Sequence, residues 1–358
     1  MAYKILYIDD LETQSREKDI ENLGYEVKLY NPTSNISDLF KKLDEFKGVS
    51  ASVLDYRLTK GENNACFDAP TIAQTLRTKH KEDLQDFPMV LMSNEDIKIA
   101  EYDKDLTSQD LFDFVLTKEE FSADMPKFKR KLDSFIKSYE TIRLNKFDLT
   151  KILDIEDESI LHSRIKSNTI KIGKNVFMFS NFIYYEVIRP IGTLIGEDVL
   201  SARLGVSKES NDWNNLLEVI KSSLYTGIFS DYHKRWWMDK VNTWWSDTIT
   251  PETSLRRLNV DERVELLKTK LGLNNLTALT KTKRSVSSNF WTICKHSKEP
   301  LDPFDGIELL KEYHPWQEKE YFSIDSALAG KTEAYKNQIS AIDKKAIREL
   351  VKKERANG

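Results

Sequence analysis

The sequence has few cysteines. Its 358 residues include only two, Cys66 and Cys294, which lie far apart in the chain. Small secreted domains are held together by several disulfides, and one widely separated pair gives no such framework. The first residues, MAYKILYIDD, also lack the basic and apolar stretches of a secretory signal. We therefore expect a protein of a reducing compartment, the cytoplasm.

Long uninterrupted hydrophobic runs are missing as well. The most apolar stretch, residues 176–195, contains Glu186, Arg189 and Pro190 near its middle. A charged residue at the centre of a bilayer costs about 2.5–3.5 kcal/mol on insertion scales, so we expect no membrane span. The stretch instead predicts a buried helix that is broken at Pro190 and packs between domains.

The remaining composition is that of a globular protein. Hydrophobic residues make up 40% of the chain and charged residues 31%, which is enough apolar material for a sizeable core. A length of 358 residues exceeds that of a usual single domain and predicts two or three domains. We find no internal repeat and no low-complexity segment.

Four short apolar runs in the first 120 residues are each followed by polar residues. YKILYI precedes Asp9 and Asp10, ASVL precedes Asp55, MVLM precedes Ser93, and FVLT precedes Lys118. Such runs are typical of buried parallel strands. Ligands of open α/β sheets bind at the carboxyl ends of the strands. We therefore expect one pocket that holds three carboxylates, a hydroxyl and an ammonium group.

This combination of groups suits the transfer of a phosphoryl group to an aspartate. Crowded carboxylates repel one another, and a hard divalent cation such as Mg²⁺ relieves the repulsion and also binds phosphoryl oxygens. Asp55 is then the nucleophile, because a carboxylate needs no base to activate it. The incoming phosphoryl oxygens need positive charge and hydrogen-bond donors around them, which Lys118 and Ser93 would supply.

The motifs that carry these residues resemble those of a known family. YIDD, VLDYRL, LMSN and LTK, in this order, are similar to the motifs of the receiver domain of two-component response regulators, over about residues 3–140. The resemblance implies an α/β fold with a flavodoxin-like, doubly wound, five-stranded parallel sheet. It implies that Asp55 is the phosphoacceptor and that Asp10, Asp55 and the backbone carbonyl of Arg57 bind Mg²⁺. Asp9 would act mainly through a metal-bound water.

The same resemblance assigns the other two site residues and the partners. Ser93 would follow the phosphoryl group and Lys118 would pair with it. The phosphoryl donor would be a histidine kinase or a phosphotransfer protein. Receivers often pair through their last helices and strand, so a homodimer is an expected form.

Several residues depart from the family pattern. Asn94 stands where receivers usually have a small residue, which predicts an altered dephosphorylation rate. Val115 replaces the rotating aromatic residue and Glu119 replaces the usual proline, which predicts an altered switch. The segment TKGENNACFD is longer than a typical receiver needs by roughly eight residues, and it predicts an unusual loop over the site.

Beyond residue 140 the sequence predicts a mainly α-helical, tryptophan-rich output region. We divide it into residues 141–250 and 251–358, which form either two domains or one. One long helix is expected from Glu119 to about Leu144. Another should start at Thr250 and Pro251, and a third should run from Asp261 to Leu271 and end at Gly272.

A further helix is predicted after Lys331, at the end of the chain. Its apolar stripe consists of Ile339, Ile342, Ile347, Leu350 and Val351. The lysines of this segment alternate with acidic residues, so we interpret them as a solvated face and not as a nucleic-acid footprint.

All seven tryptophans lie in the output region, four of them within DYHKRWWMDKVNTWWSD. On a helix, Trp237, Trp244 and Trp245 would share one face and Trp236 would point away from it. Tryptophan buries a large area and favours one wet edge, so this face predicts either core or a partner interface. The four interface candidates are Trp236, Trp237, Trp244 and Trp245.

The function of the output region stays open between three classes. The first hypothesis is a signalling protein whose output acts through protein contacts after phosphorylation of Asp55. The second is an effector enzyme acting on nucleic acid or nucleotides under phosphorelay control, although no independent enzyme motif follows residue 140. The third is a DNA-binding regulator, based on a helix-turn-helix interpretation of residues 200–210, although few basic residues follow that segment. Cys294, His296 and His314 lack the paired spacing of a zinc site.

Overall fold

The chain folds into two compact units. The structure is a computed structural model that describes residues 2–10, 14–58, 65, 67–79, 86–94, 96, 98, 102–104 and 108–357. The N-terminal unit comprises Met1–Ile152 and Ile172–Asn181, and the C-terminal unit comprises Leu153–Lys171 and Phe182–Gly358.

A five-stranded parallel sheet forms the centre of the N-terminal unit. Its strands are β1 (Lys4–Ile8), β2 (Glu26–Tyr30), β3 (Ala51–Asp55), β4 (Met89–Ser93) and β5 (Phe114–Thr117). They are arranged in the order β2-β1-β3-β4-β5, and every neighbouring pair is parallel. This is the strand order of flavodoxin-like, doubly wound folds. The predicted fold and the four strands that precede the polar residues are thus confirmed.

Helices cover both faces of this sheet. Because β3 and β4 are buried along their whole length, both read as continuous apolar runs in the sequence. The helices of this unit are Gln14–Asn22, Ser37–Lys41, Ala69–Lys79, Lys118–Ala123, Met125–Leu144 and Val176–Asn181, with 3-10 turns at Leu43–Phe46 and Tyr102–Lys104.

The prediction of one helix from Glu119 to Leu144 is wrong. The segment forms two helices, which are separated at Asp124, where φ is −150° and ψ is 69°. The Asp124 side chain accepts a hydrogen bond from the Lys127 backbone N–H at 2.9 Å, and Pro126 lies in the first turn of the second helix. Both are signals of a helix start, and they outweigh the continuous hydrophobic spacing.

The C-terminal unit is mainly helical, as predicted, and it also contains three short antiparallel strand pairs. The pairs are β6 (Leu194–Ile195) with β7 (Trp236–Trp237), β8 (Thr292–Ile293) with β9 (Pro300–Leu301), and β10 (Ile307–Glu308) with β11 (Tyr321–Phe322). Its α-helices are Ser163–Ile172, Glu197–Leu204, Trp213–Val219, Met238–Trp244, Val260–Leu271, Ile324–Leu328 and Ala341–Asn357. A short helix, Leu149–Leu153, spans the boundary of the two units.

The remaining helical turns of this unit are short. Single 3-10 turns occur at Glu158–Ile160, Lys221–Ser223, Leu255–Arg257, Pro303–Asp305 and Glu333–Gln338, and π-helical turns at Phe182–Ile188 and Trp245–Ile249. The helical segment that begins at Val176 ends at Ile188, before Pro190, as its sequence predicted. Within the described parts of the chain, no helix is both long enough and apolar enough to cross a membrane.

Three predictions of local structure in this unit need correction. Trp236 and Trp237 belong to a strand and not to the helix, which begins at Met238. Thr250 ends a helical turn and does not start a helix, and a single 3-10 turn, Leu255–Arg257, follows it. Ile342, placed in the apolar stripe of the last helix, is 81% exposed. By contrast, the helix Val260–Leu271 and its left-handed end at Gly272 agree with the prediction.

Candidate functional site: an acidic pocket at the end of the parallel sheet

Three carboxylates meet at the carboxyl end of the sheet. Asp9 and Asp10 follow β1, and Asp55 is the last residue of the adjacent strand β3. One carboxylate oxygen of each residue lies within 4.8 Å of those of the other two. The predicted convergence of these residues therefore follows from the parallel register of the two strands.

Asp9 is hydrogen-bonded to a tyrosine of strand β1. Its side chain is fully buried, and the Tyr7 hydroxyl donates a hydrogen bond to Asp9 Oδ2 at 2.5 Å. Tyr7 was not among the predicted site residues. The signal was available, because residues two apart on a strand point to the same face of the sheet.

Lys118 reaches the pocket from the start of a helix. Thr117 caps that helix: its side chain accepts from the Glu120 backbone N–H, and the Glu120 carboxylate accepts from the Thr117 backbone N–H. This capping box fixes where the strand β5 ends and the helix begins. The Lys118 Nζ atom lies 3.0 Å from Asp55 Oδ2.

The electrostatics of the pocket act most strongly on Asp55. Burial raises the pKa of this carboxyl, Lys118 opposes the rise, and the charges of Asp9 and Asp10 add to it. The net result is a pKa of about 6, against an ordinary value of 3.8. The pocket thus carries a negative charge that a single lysine does not balance.

Ser93 lies beside Asp55 at the same end of the sheet. It ends β4 opposite Thr117 of β5, and the backbone N–H of Tyr56 donates to the carbonyl of Met92 at 3.0 Å. Ser93 is 1% exposed, and its hydroxyl has no hydrogen-bond partner among the described residues. A buried hydroxyl without a partner is costly, so this one is suited to a ligand that enters the pocket.

The carboxylates fit a divalent cation such as Mg²⁺. Each of the three offers oxygen ligands. Their mutual repulsion, which adds to the effect of burial on the pKa of Asp55, is what a bound cation would relieve. Arg57 lies two residues beyond Asp55, next to the same end of β3. Within the described residues, no other group of three or more such side chains has the spacing of a metal site.

Of the residues that depart from the receiver pattern, Asn94 and Glu119 directly follow Ser93 and Lys118, and Val115 lies within β5. Asn94 and Glu119 are exposed, and Val115 is half-buried. Phe114 faces the helix Met125–Leu144, where its ring packs 5.2 Å from that of Phe135. Most of the predicted loop TKGENNACFD, including Cys66, lies outside the described residues.

The four tryptophans proposed for an interface are buried within the C-terminal unit. Trp236, Trp237 and Trp245 are each 1% exposed, and Trp244 is 9% exposed. The prediction that Trp236 points away from the face shared by the other three is wrong, because Trp236 packs in the same hydrophobic cluster as Trp244 and Trp245. Their burial favours the core interpretation of this segment.

Comparisons with known proteins concern the N-terminal unit. No protein-family model and no curated protein matches the chain. Among solved structures, a response regulator receiver domain protein from Clostridium thermocellum is 16% identical, with 38% of this chain and 97% of that one covered and a TM-score of 0.30. A response regulator protein from Thermotoga maritima, solved in complex with Mg²⁺-BeF, is 21% identical over 36% of this chain and 97% of that one, with a TM-score of 0.27. A structure of the histidine kinase ThkA in complex with the response regulator protein TrrA also matches. The identity is 18%, 36% of this chain and 97% of that one are covered, and the TM-score is 0.27.

These identities and TM-scores are low, and the assignment of the fold rests on the strand order, the parallel register and the acidic end of the sheet. The N-terminal unit has the receiver fold. The receiver unit, as we call it from here on, brings together the three predicted carboxylates and Lys118, with Ser93 on the neighbouring strand.

Proposed function

We propose that the chain is a response-regulator-type signalling protein that accepts a phosphoryl group on Asp55. The donor is a histidine kinase or a phosphotransfer protein, and Mg²⁺ is required. The observation that carries the proposal is the grouping of Asp9, Asp10 and Asp55 within 4.8 Å, with Lys118 at 3.0 Å from the Asp55 carboxylate.

The residues of the pocket have separate roles in this reaction. An Asp55 carboxylate oxygen attacks the phosphorus, a new P–O bond forms, and the bond to the donor breaks with its electron pair on the leaving group. Lys118 then moves its hydrogen bond from the carboxylate to a phosphoryl oxygen, and the Ser93 hydroxyl donates to another. Mg²⁺, held by Asp9, Asp10, Asp55 and the Arg57 carbonyl, would neutralise further charge on the phosphoryl oxygens.

The pKa of Asp55 is compatible with this role. A value of about 6 leaves the carboxyl mostly ionised at neutral pH, so the nucleophile is available without a base. Positive charge that enters with the cation lowers this pKa further and keeps the nucleophile ionised.

In this proposal residues 1–140 are the receiver domain, and residues 141–250 and 251–358 form the output region. The output region acts through contacts with other proteins. Phosphorylation would change these contacts or the pairing of two receivers. The phosphoryl-transfer chemistry of the proposal, however, is confined to the receiver unit and is tested there.

The test uses the full chain with acetyl phosphate and Mg²⁺. Intact-mass measurement should show the addition of one phosphoryl group, which hydroxylamine removes because it is an acyl phosphate. Asp55→Asn should show no addition, whereas Asp110→Asn, which changes an exposed acid of the same unit, should behave as the unmodified chain. Equal phosphorylation of the Asp55→Asn variant would remove Asp55 from the mechanism.

A further inference from the structure

The C-terminal unit contains a large open cavity. Its volume is about 790 Å³, and a smaller cavity of about 290 Å³ shares part of its lining. Sites for small molecules commonly measure about 300–1,000 Å³, so the larger cavity alone is of sufficient size. All its lining residues belong to the C-terminal unit, so the cavity is independent of the acidic pocket.

Positive charge dominates the lining of the larger cavity. Four acidic side chains face six cationic ones, and two histidines add donors or acceptors. The six cations are Arg189, Arg235, Lys295, Lys298, Lys311 and Lys331. A concave site lined mainly by one sign of charge concentrates its potential and attracts ligands of the opposite sign.

Two of the four acids are already neutralised by cations. Glu318 pairs at 2.7 Å with Arg203, which is fully buried outside the lining. Glu320 pairs with Lys295 at 2.7 Å and with Lys311 at 2.6 Å. Burial alone would raise the pKa of Glu320, but the hydrogen bonds from these two lysines outweigh it and hold the pKa below its ordinary value. Neither carboxylate would therefore repel an incoming anion strongly.

The remaining cations are largely uncommitted. Glu186 accepts a hydrogen bond from Gln317 Nε2 at 2.9 Å. Within the described parts of the chain, Arg189, Lys298 and Lys331 have no carboxylate within ion-pair distance. These three side chains are exposed at the cavity. Lys298 Nζ donates to the Lys295 carbonyl at 2.8 Å and the Arg189 guanidinium lies over the Tyr185 ring, so the charges of both remain unpaired with a carboxylate.

Arg235 is fixed in position at the junction of the two cavities. Its Nε donates to the carbonyl of Ile188 at 2.9 Å and its Nη2 to the carbonyl of Arg189 at 3.2 Å. Its Nη1 fills the space beside Gly196, where an added Cβ would overlap with it. Burial lowers the pKa of Arg235, the nearby Tyr184 and Asp198 oppose this, and the charge of Arg189 adds to it. An anion bound between Arg189 and Arg235 would relieve the repulsion between these two cations.

Aromatic rings line the same cavity. Tyr185, Tyr313 and Tyr335 each contribute a half-buried ring. Each ring has a cation of the lining within 5.6 Å of its centroid. Such rings offer flat surfaces on which a nucleobase can stack, next to the charges that would hold its phosphates.

We propose that this cavity binds a small, phosphate-rich anion of nucleotide size. Its phosphates contact Arg189, Arg235 and Lys298, and a base, where the ligand has one, stacks on the tyrosine rings. The shared chemistry is a chain of phosphate groups, which a nucleoside triphosphate and an inorganic polyphosphate both provide. The proposal does not rest on the phosphorylation of Asp55.

The first experiment measures binding to the full chain by isothermal titration calorimetry. The probes are ATP, GTP, adenosine and inorganic tripolyphosphate, all in EDTA, so that no divalent cation occupies the acidic pocket. ATP or GTP should bind at least about tenfold more tightly than adenosine, since the phosphates meet the cations. Equal binding of tripolyphosphate would support the phosphate site and identify an inorganic ligand. Adenosine binding as tightly as ATP, or no binding of any probe, would overturn the proposal.

The second experiment reverses the charge at the cavity. Lys298→Glu combined with Lys331→Glu changes two exposed side chains, and it should weaken ATP or tripolyphosphate binding by at least about tenfold. Gly196→Ala, which displaces the Arg235 guanidinium, should also weaken binding. Lys283→Glu, an exposed lysine of the same unit outside the cavity, is the matched control.

Further arms separate this proposal from the receiver chemistry and from a macromolecular ligand. Circular dichroism confirms that each variant is folded, and Asp55→Asn should bind ATP as the unmodified chain does. Binding by the double variant that equals that of the Lys283→Glu control would refute the site. Displacement of ATP by a short single-stranded oligonucleotide at lower concentration than tripolyphosphate would assign the cavity to nucleic acid instead.

Discussion

The ionised Asp55 carboxylate is destabilised by its surroundings in the folded protein. A buried carboxyl beside two other carboxylates raises the free energy of the ionised form, and the raised pKa measures this conflict. Natural proteins accept such local conflicts mainly at functional sites. The buried hydroxyl of Ser93, which has no partner within the described residues, is a second conflict in the same pocket.

We predict that Asp55→Asn stabilises the metal-free protein at neutral pH. The folded pKa of about 6 lies above the ordinary 3.8, so the stability that Asp55 contributes when protonated is full below pH 3.8 and lost as the pH rises through 6. At pH 7 the ionised carboxyl therefore costs up to about 3 kcal/mol, and asparagine avoids this cost.

Urea unfolding of the full chain in EDTA at several pH values measures this effect. The advantage of Asp55→Asn should be largest at pH 7 to 8 and should shrink towards pH 4. Added Mg²⁺ should stabilise the unmodified chain more than the variant, because it binds to the ionised carboxylates. A variant that is no more stable than the unmodified chain at any pH would contradict the electrostatic account.

We predict that Lys118→Met slows phosphorylation of Asp55 by about a hundredfold or more. The variant removes a cation 3.0 Å from the carboxylate, and loss of one such donor to a charged transition state commonly costs that factor. The rate of phosphoryl addition from acetyl phosphate measures it. Lys127→Met, which alters an exposed lysine of the same unit, should leave the rate unchanged. A rate for Lys118→Met within a few-fold of this control would show that the lysine does not act on the reacting group.

The residues of the acidic pocket were predictable because each lies at the carboxyl end of a strand. The rule that ligands meet at the carboxyl ends of parallel strands needs no knowledge of the loops between them. Tyr7 was missed because its role depends on one hydrogen bond to Asp9 and not on the apolar pattern of β1. No local pattern marks Arg203 either, which is buried because Glu318, distant in sequence, pairs with it.

Helix boundaries show where local signals and tertiary contacts compete. The break at Asp124 was readable from an N-cap aspartate followed by Pro126, but the apolar spacing on both sides concealed it. The strand Trp236–Trp237 was not readable, since it exists through its pairing with Leu194–Ile195. A two-residue strand has no period of its own, so only its partner determines its conformation.

Two of the left-handed glycines that end helices give a matched pair of variants. Gly205 follows the helix Glu197–Leu204 with φ of 75°, and an added Cβ would lie 2.8 Å from Val260 Cγ2. Gly272 follows Val260–Leu271 with φ of 70°, and no described atom lies within 4 Å of its added Cβ.

We therefore predict that Gly205→Ala destabilises the C-terminal unit more than Gly272→Ala. Both variants incur about 1–2 kcal/mol for a left-handed non-glycine residue. Gly205→Ala adds the cost of overpacking against Val260, about 1–3 kcal/mol. Urea unfolding followed by tryptophan fluorescence measures both, because all seven tryptophans lie beyond residue 140. Equal losses would show that the contact with Val260 relaxes without cost.

A buried ion-pair network joins the elements of the receiver unit far from its acidic pocket. Arg77 pairs with Asp86 at 2.6 Å and with Asp113 at 2.8 Å, and Tyr139 donates to Asp113 at 2.7 Å. The network links the helix Ala69–Lys79, the start of β5 and the helix Met125–Leu144. Burial raises the pKa of Asp113, and Arg77 opposes the rise.

We predict that Arg77→Met destabilises the receiver unit by about 3–5 kcal/mol, because it leaves two buried carboxylates without their cation. Urea unfolding followed by circular dichroism measures the loss. Arg130→Met, at an exposed position on the helix Met125–Leu144, is the control and should change stability by less than about 0.5 kcal/mol. A loss for Arg77→Met no larger than that of the control would show that the network adds nothing to stability.

The two units differ in how far their binding sites could be read from the sequence. The acidic pocket uses motifs that are each continuous with a strand. The cavity of the C-terminal unit collects side chains from segments near residues 189, 235, 295, 311 and 331, none of which carries a recognisable motif. The positive charge of this cavity could not be predicted from the composition, because the chain as a whole has a net charge of −4.

Because the sites have opposite charge, we predict that different ligands protect different parts of the chain from hydrogen exchange. Beryllofluoride with Mg²⁺ should slow exchange near residues 8–10, 55–57, 92–94 and 116–118, where the strands of the receiver unit end. ATP or tripolyphosphate in EDTA should slow exchange near residues 188–196, 233–237 and 295–298. A bound ligand slows exchange where it suppresses local opening, so the protected peptides locate each site.

Each protection should depend on the residues of its own site. Asp55→Asn should remove the first pattern and leave the second, whereas Lys298→Glu with Lys331→Glu should do the reverse. Beryllofluoride protection that survives Asp55→Asn would separate the anion from the proposed phosphoacceptor. If ATP protects only the receiver unit, the nucleotide binds at the acidic pocket and the proposed site in the cavity of the C-terminal unit is refuted.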